Sequence, residues 1–121
     1  MAEKEENSST QELSDNDAVI DVVYDDQLPL SMPTSANVIT GMVTTVEGNI
    51  IDNAIIEIKD AQGQPVRALK TNRLGQFAIA TPLKNGHYII EIDSPGKKFP
   101  IYKIETSGKI IPPISIRSQS S

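Results

Sequence analysis

One imidazole and a scatter of carboxylates are the side chains of this sequence that could carry acid–base chemistry. His87 is the single histidine among 121 residues, and no cysteine accompanies it. A general base needs a nucleophile or a substrate proton within hydrogen-bond reach, so we predict an ordinary surface role for His87. Glu57, Glu91 and Asp93 alternate with apolar residues in short runs, which indicates a solvated strand face rather than a pair of catalytic carboxylates.

The sequence contains little that would indicate a metal, phosphate or nucleic-acid site. One histidine and no cysteine exclude thiolate and multi-histidine metal sites. The oxygen-rich run "DNDAVIDVVYDD" lacks the central glycine and final glutamate of an EF-hand loop. No glycine-rich phosphate motif occurs. Lys97 and Lys98, beside Phe99 and Tyr102, are two cations and not a basic stripe. We therefore predict no cofactor, no metal and no nucleic-acid partner.

Charge is distributed unevenly along the chain. Residues 1–30 carry nine acids and one base, a net of −8, whereas the remainder carries ten bases and seven acids, a net of +3. Such an acidic segment would compete with nucleic-acid phosphates for the cations of the body. Residues 1 to about 17 are almost devoid of apolar side chains, and we predict that they are disordered. They lack the apolar core of a signal peptide, and no apolar run is long enough to cross a bilayer.

Residues 18–30, "AVIDVVYDDQLPL", combine a short β-prone run with acids. One interpretation is a linker, so that residues 1–36 form an acidic tail and linker and residues 37–118 form the domain. The other is a strand that adds to a sheet edge, in its own chain or in a neighbour. Alternation would then place Ile20, Val22 and Tyr24 on one face. We favour the linker.

From residue 37 onward the pattern is that of an all-β protein. Seven short apolar runs are separated by turn signals roughly every ten residues, and no helical period is present. This spacing predicts a seven-stranded antiparallel sandwich. Proline cannot donate to a strand ladder, so Pro100, Pro112 and Pro113 indicate that the last two strands lie at edges or are interrupted. The predicted strands cover residues 37–46, 54–60, 65–71, 76–80, 87–93, 99–106 and 109–118.

The stretch "TNRLGQFAIATPLKNGHYIIEI" contains two predicted turns. Asn72 can accept a hydrogen bond from the backbone two residues on, and Gly75 can adopt the left-handed conformation that closes a hairpin. Asn85-Gly86 is a second turn signal. Phe77 and Tyr88 then fall on inward positions of successive strands, where we expect a cross-strand aromatic pair.

The same residues resemble the carboxypeptidase regulatory-like domain over about residues 37 to 105. Its pattern joins a strand "I-x-G-x-V" to "T-[DN]-x-x-G-x-F" and "L-x-x-G-x-Y". The resemblance implies a transthyretin-like (prealbumin-like) Greek-key sandwich that is not catalytic and accompanies peptidases, receptors, adhesins and secretion- or conjugation-associated proteins of bacterial envelopes. The matching positions are Ile39, Gly41, Val43, Gly48, Ala54, Ile56, Thr71, Asn72, Gly75, Phe77, Leu83, Gly86, Tyr88 and Ile90.

These observations predict a structural or protein-interaction module of a larger bacterial assembly, which meets a protein partner through a sheet edge or an outer face. A carbohydrate-binding sandwich is the first alternative. It needs exposed aromatics, and this chain has five aromatic residues, of which at least two are expected in the core. A transthyretin-like hydrolase needs several histidines and arginines and a "YRGS"-like ending, whereas this chain ends "RSQSS".

Overall fold

The computed structural model describes residues 18–119, in which every regular element is a β-strand. The predicted all-β class is therefore confirmed for this range, and the predicted disordered tail, residues 1–17, lies outside it. The predicted count of seven strands is wrong, because two short strands precede the seven. The strands are β1 (Val19–Asp21), β2 (Val23–Tyr24), β3 (Thr40–Thr44), β4 (Ile55–Lys59), β5 (Pro65–Lys70), β6 (Gln76–Ala78), β7 (Gly86–Asp93), β8 (Ile101–Thr106) and β9 (Ile114–Arg117).

The strands form two sheets that enclose one core in a sandwich-like arrangement. The five-stranded sheet has the order β1-β8-β7-β4-β5, and the four-stranded sheet has the order β2-β9-β3-β6. Both sheets are mixed, since β1 pairs parallel to β8 and β3 pairs parallel to β9. The purely antiparallel arrangement predicted from the turn spacing is therefore wrong. The chain crosses between the sheets repeatedly, so strands that are neighbours in a sheet are often distant in sequence.

Side-chain alternation determines which residues fill the core. In β4, Ile56 and Ile58 are fully buried, and Glu57 and Lys59 point outward, as the sequence pattern predicts. β-branched side chains suit a pleated surface, and burial of each such side chain contributes about 1.5–3 kcal/mol. The largest fully buried aliphatic side chains are Ile39, Val43, Ile56, Ile58, Ile90, Ile114 and Ile116.

The two predicted turns around β6 are crossovers between sheets and not hairpins. β5 and β7 belong to the five-stranded sheet, whereas β6 belongs to the four-stranded sheet. Phe77 and Tyr88 are both buried, as predicted, but they lie on strands that do not pair with each other. The expected cross-strand aromatic pair is therefore not formed. Turn residues specify where the chain reverses, and they do not specify which sheet it enters.

The prolines of the last two predicted strands lie immediately before the observed strands. β8 begins at Ile101, directly after Pro100, and β9 begins at Ile114, directly after Pro113. Pro113 is fully buried and its carbonyl accepts a hydrogen bond from the Asp25 N–H at 2.9 Å. The expected interruption is thus confirmed. Because a proline cannot donate to a strand pair, β8 and β9 are shorter than predicted. Their first residues, Ile101 and Ile114, pair with Val19 and Tyr24.

Candidate functional site

Residues 18–25, here called the arm, run along one side of the sandwich and pair with both sheets. β1 lies parallel to β8, with Val19 opposite Ile101 and Asp21 opposite Lys103. β2 then lies antiparallel to β9, with Val23 opposite Ser115. The sheets therefore begin at Val19, inside the range that the sequence assigned to tail and linker. The linker interpretation is wrong for the arm, and the alternative of an added edge strand is correct.

The arm changes from one sheet to the other at Val22. The Val22 N–H donates to the Lys103 carbonyl at 3.1 Å, and the Ile101 N–H donates to the Ala18 carbonyl at 2.7 Å. The Val22 side chain is 9% exposed and belongs to the core, whereas Ile20 and Tyr24 are 40% and 50% exposed. The predicted common face of these three side chains is therefore not formed, because the change of sheet breaks the alternation.

An open groove of about 430 Å³ lies beside the arm between the two sheets. Its lining includes Ile20 and Val23 from the arm, Tyr102 from β8 and Arg117 from β9. The Tyr102 hydroxyl donates to the Arg117 carbonyl at 3.4 Å, and burial raises the pKa of this phenol. The arm thus covers part of an apolar seam and leaves a strip of that seam open to solvent.

The residues with potential for acid–base chemistry lie on the outer face of the five-stranded sheet. A second groove, of about 530 Å³, includes His87, Glu105, Lys103 and Asp21 in its lining. His87 Nε2 lies 3.8 Å from Glu105 Oε2, and the His87 side chain is 75% exposed. Lys103 Nζ lies 3.9 Å from Asp21 Oδ1. The lining of this groove contains these two charge pairs and no serine, threonine or cysteine.

Two of the three predicted outward acids, Glu57 and Glu91, lie beside Lys59 on the same face. Lys59 Nζ lies 3.2 Å from Glu91 Oε1 and 3.7 Å from Glu57 Oε1. The hydrogen bond to Glu91 is the main cause that raises the pKa of Lys59. Asp93 is exposed at the end of β7. Within residues 18–119 no group of three or more acidic or histidine side chains is placed to hold a metal ion.

Asn72 and its neighbours build the first crossover. The Asn72 Oδ1 atom accepts hydrogen bonds from the N–H groups of Leu74 and Gln76, each at 2.9 Å. The predicted bond two residues on is therefore present. The Gly75 N–H donates to the Asn72 carbonyl at 2.9 Å. Thr71, which is buried, accepts a hydrogen bond from the N–H of the buried Ala54 at 2.9 Å. These residues shape the turn.

Asn85, Gly86 and Tyr88 close the second crossover. The Tyr88 hydroxyl donates to the Lys84 carbonyl at 2.8 Å, and the Thr106 hydroxyl donates to the same carbonyl at 2.7 Å. The Gly86 N–H in turn donates to the Thr106 Oγ1 atom at 3.0 Å. Asn85-Gly86 therefore leads into β7 and does not form the hairpin turn that its sequence suggests.

The remaining motif positions have packing or turn roles. A Cβ atom at Gly41 would lie 2.5 Å from the Ile114 carbonyl oxygen and 2.8 Å from Phe77 Cε1, so β3 has no room for a side chain there. The Gly48 N–H donates to the Thr45 carbonyl at 2.9 Å in the turn between β3 and β4. Phe77 packs in the core. The predicted motif residues are thus spread through turns and core and do not converge on one site.

Asn37 joins several loops by hydrogen bonds, a role that the sequence pattern did not predict; the pattern predicted only that a strand begins there. It is buried with a φ of 59°. Its Nδ2 atom donates to the Leu83 carbonyl at 2.9 Å, and its Oδ1 atom accepts from the Gly108 N–H at 2.8 Å. Asparagine tolerates a left-handed backbone conformation better than most residues. This tolerance is the one feature of the sequence that could have indicated the role of Asn37.

Comparison of the sequence with protein-family models finds no match, and comparison with curated proteins also finds none. None of residues 18–119 lies in a helix long and apolar enough to span a bilayer.

Proposed function

We propose that this domain is a non-catalytic protein-interaction module that holds extended segments along its sheet edges. The arm is the observation that supports this proposal. It is bound chiefly through its backbone, to β8 in parallel and to β9 in antiparallel orientation, with one apolar side chain inserted between the sheets. Addition of a strand to a sheet edge is a common mode of peptide recognition, in which backbone pairing supplies affinity and side-chain pockets supply specificity.

We further propose that the seven strands β3 to β9 form a transthyretin-like Greek-key core of the carboxypeptidase regulatory-like type. Two features support this: the motif residues occupy turns and core positions, and Gly41 lies where a side chain would clash with Phe77. By this resemblance the domain would serve a larger bacterial assembly at the envelope or in secretion or conjugation.

Two other functions lack a supporting observation. A sugar-binding sandwich needs a platform of exposed aromatics, and Phe77, Tyr88 and Tyr102 are buried while Phe99 is partly buried. Tyr24 alone is largely exposed among the five aromatic residues. A hydrolase needs a nucleophile and base in contact, and His87 contacts Glu105 on an exposed face.

A labelled peptide with the sequence of residues 18–27 tests the proposal by fluorescence anisotropy against the full chain. The resident arm competes for the groove, so we expect weak binding to the parent protein. Val22→Asp disfavours the resident arm by placing a charge in the core, and we expect peptide affinity to rise at least tenfold.

Val23→Asp is the matched control, because Val23 is the adjacent valine and is exposed. It should leave the affinity for the peptide unchanged, and a peptide of scrambled sequence should bind neither variant. Circular dichroism of both variants serves as the check that they are folded. Absence of peptide binding to a folded Val22→Asp protein would overturn the proposal.

A further inference from the structure

We infer that the arm also pairs in trans, so that residues 18–25 of one copy of this chain fill the groove between β8 and β9 of a second copy. The inference rests on the proposed function, because it uses the same groove, and it adds the identity of the partner. Without an arm, β8 and β9 would each become an edge strand with unpaired N–H and C=O groups. An arm from either copy satisfies these groups equally.

The side-chain contacts of the arm with its own body are few, and backbone pairing to β8 and β9 supplies most of its attachment. Val22 is its single buried side chain, whereas Val19, Ile20, Val23 and Tyr24 are 40–54% exposed. The ion pair between arm and body that joins Asp21 to Lys103 spans 3.9 Å between two exposed groups. Exposed pairs of this kind contribute little to stability. The arm is therefore an element that can leave its groove without disruption of the seven-stranded core.

The segment that joins the arm to β3 suits exchange between copies. Residues 26–36 form no strand, and Pro29 and Pro33 interrupt them. In the closed chain the segment folds back through a turn at residues 26–27, where the Leu28 N–H donates to the Asp25 carbonyl at 3.4 Å. The residue before a proline favours extended backbone, so the positions before Pro29 and Pro33 suit the opened segment that exchange requires. Eleven extended residues reach roughly 36–40 Å. The Gln76 Nε2 atom donates to the Pro29 carbonyl at 3.0 Å and ties the segment to β6. Exchange therefore requires release of that bond, opening of the turn after Asp25 and exposure of the half-buried Leu28 and Leu30.

The chemistry of the groove matches the arm and so identifies its occupant. The occupant must offer a small apolar side chain where the sheets meet and an acid opposite Lys103, in the register of Val22 and Asp21. A second copy offers both in the correct spacing. Exchange of an identical element leaves every such contact unchanged, so the balance between closed monomer and exchanged dimer depends on the joining segment and on protein concentration.

Two single-cysteine variants of the full chain test the inference, since the parent has no cysteine. Val19 lies opposite Ile101 in the β1–β8 register. A Val19→Cys protein carrying a size tag is mixed with an untagged Ile101→Cys protein and oxidised under mild conditions. Neither variant can form a disulfide within one chain, so a mixed disulfide reports that the arm of one copy lies on β8 of another. We expect its yield to rise with protein concentration.

The control pairs Val19→Cys with Lys103→Cys, which is out of register by two residues. We expect the in-register pair to give at least fivefold more mixed disulfide than the control, and this excess should vanish when Val22→Asp is added to the tagged chain. Equal yields for the two pairs at every concentration would overturn the inference. If the peptide still binds Val22→Asp in that case, the groove accepts strands but not those of a second copy; if it does not, the proposed function fails as well.

Discussion

The Nδ2 atom of Asn37 lies 2.8 Å from the Oδ1 atom of Asn85, although 48 residues separate them in the sequence. Asn37 also forms hydrogen bonds with the backbone of Leu83 and Gly108. One buried side chain therefore joins the residues before β3 to the loops before β7 and β9. The end of the sandwich opposite the turn between β3 and β4 is therefore held by polar bonds in addition to the apolar contacts of Leu83 and Ile39.

Asn37→Ala should destabilise the domain by about 2–4 kcal/mol, because it removes three side-chain hydrogen bonds, two of them to backbone groups, and leaves polar partners unsatisfied. Chemical denaturation measures the change. Asn53→Ala is the matched control, since Asn53 also has a left-handed backbone (φ 57°) but is exposed. The control should lose only about 1–2 kcal/mol, from backbone strain. Equal losses would show that the Asn37 bonds contribute nothing.

Gly75→Ala is expected to destabilise the domain more than Gly63→Ala by about 1–3 kcal/mol. Both glycines have positive φ, 72° and 81°, so both variants carry similar backbone strain. A Cβ at Gly75 would lie 2.8 Å from the Val43 carbonyl oxygen, whereas a Cβ at Gly63 meets nothing within 4 Å. Arg73→Ala, at an exposed position of the same turn, should be nearly neutral. Coincident midpoints for the two glycine variants would contradict the packing argument.

The arm should show partial protection in amide hydrogen exchange. The N–H groups of Val22 and Asp25 are bonded to body carbonyls, and burial of one valine contributes about 1.5–3 kcal/mol, which corresponds to roughly 10- to 100-fold protection. Val22→Asp should abolish this protection, and Val23→Asp should preserve it. Exchange of both amides at the rate of an unfolded peptide in the parent protein would refute the pairing of the arm.

Stability should fall at alkaline pH, with Tyr102 as a contributor. Burial raises the pKa of Tyr102 above its ordinary value of 10.0. The unfolded chain therefore releases this proton at lower pH than the folded chain, so the contribution is complete below about pH 10 and is lost as pH rises through the folded pKa. The raised pKa of Lys59 acts in the same direction. Tyr102→Phe should make the alkaline decline shallower in denaturation curves, and an unchanged slope would assign that decline to other groups.

The alternation of apolar and polar residues determined much of the fold by itself. It identified the inward faces of β4 and β7, the outward positions of Glu57, Glu91 and His87, and the turn role of Asn72. These features follow from local backbone geometry, because side chains of a strand point to opposite faces whatever the strand pairs with. The sequence pattern is therefore sufficient to predict those features that local backbone geometry alone determines.

Only the tertiary structure decided which strands are neighbours. Backbone N–H and C=O groups are the same in every strand, so no local pattern states that β6 joins β3 or that β1 joins β8 in parallel. The arm illustrates the point: its sequence favoured a linker, and only the edges of β8 and β9 make strands of its residues. Asn37 acquires its role in the same way, because its partners arrive from loops more than 40 residues away. Pairing and burial depend on the packing of the whole chain, and that packing made a core residue of Val22.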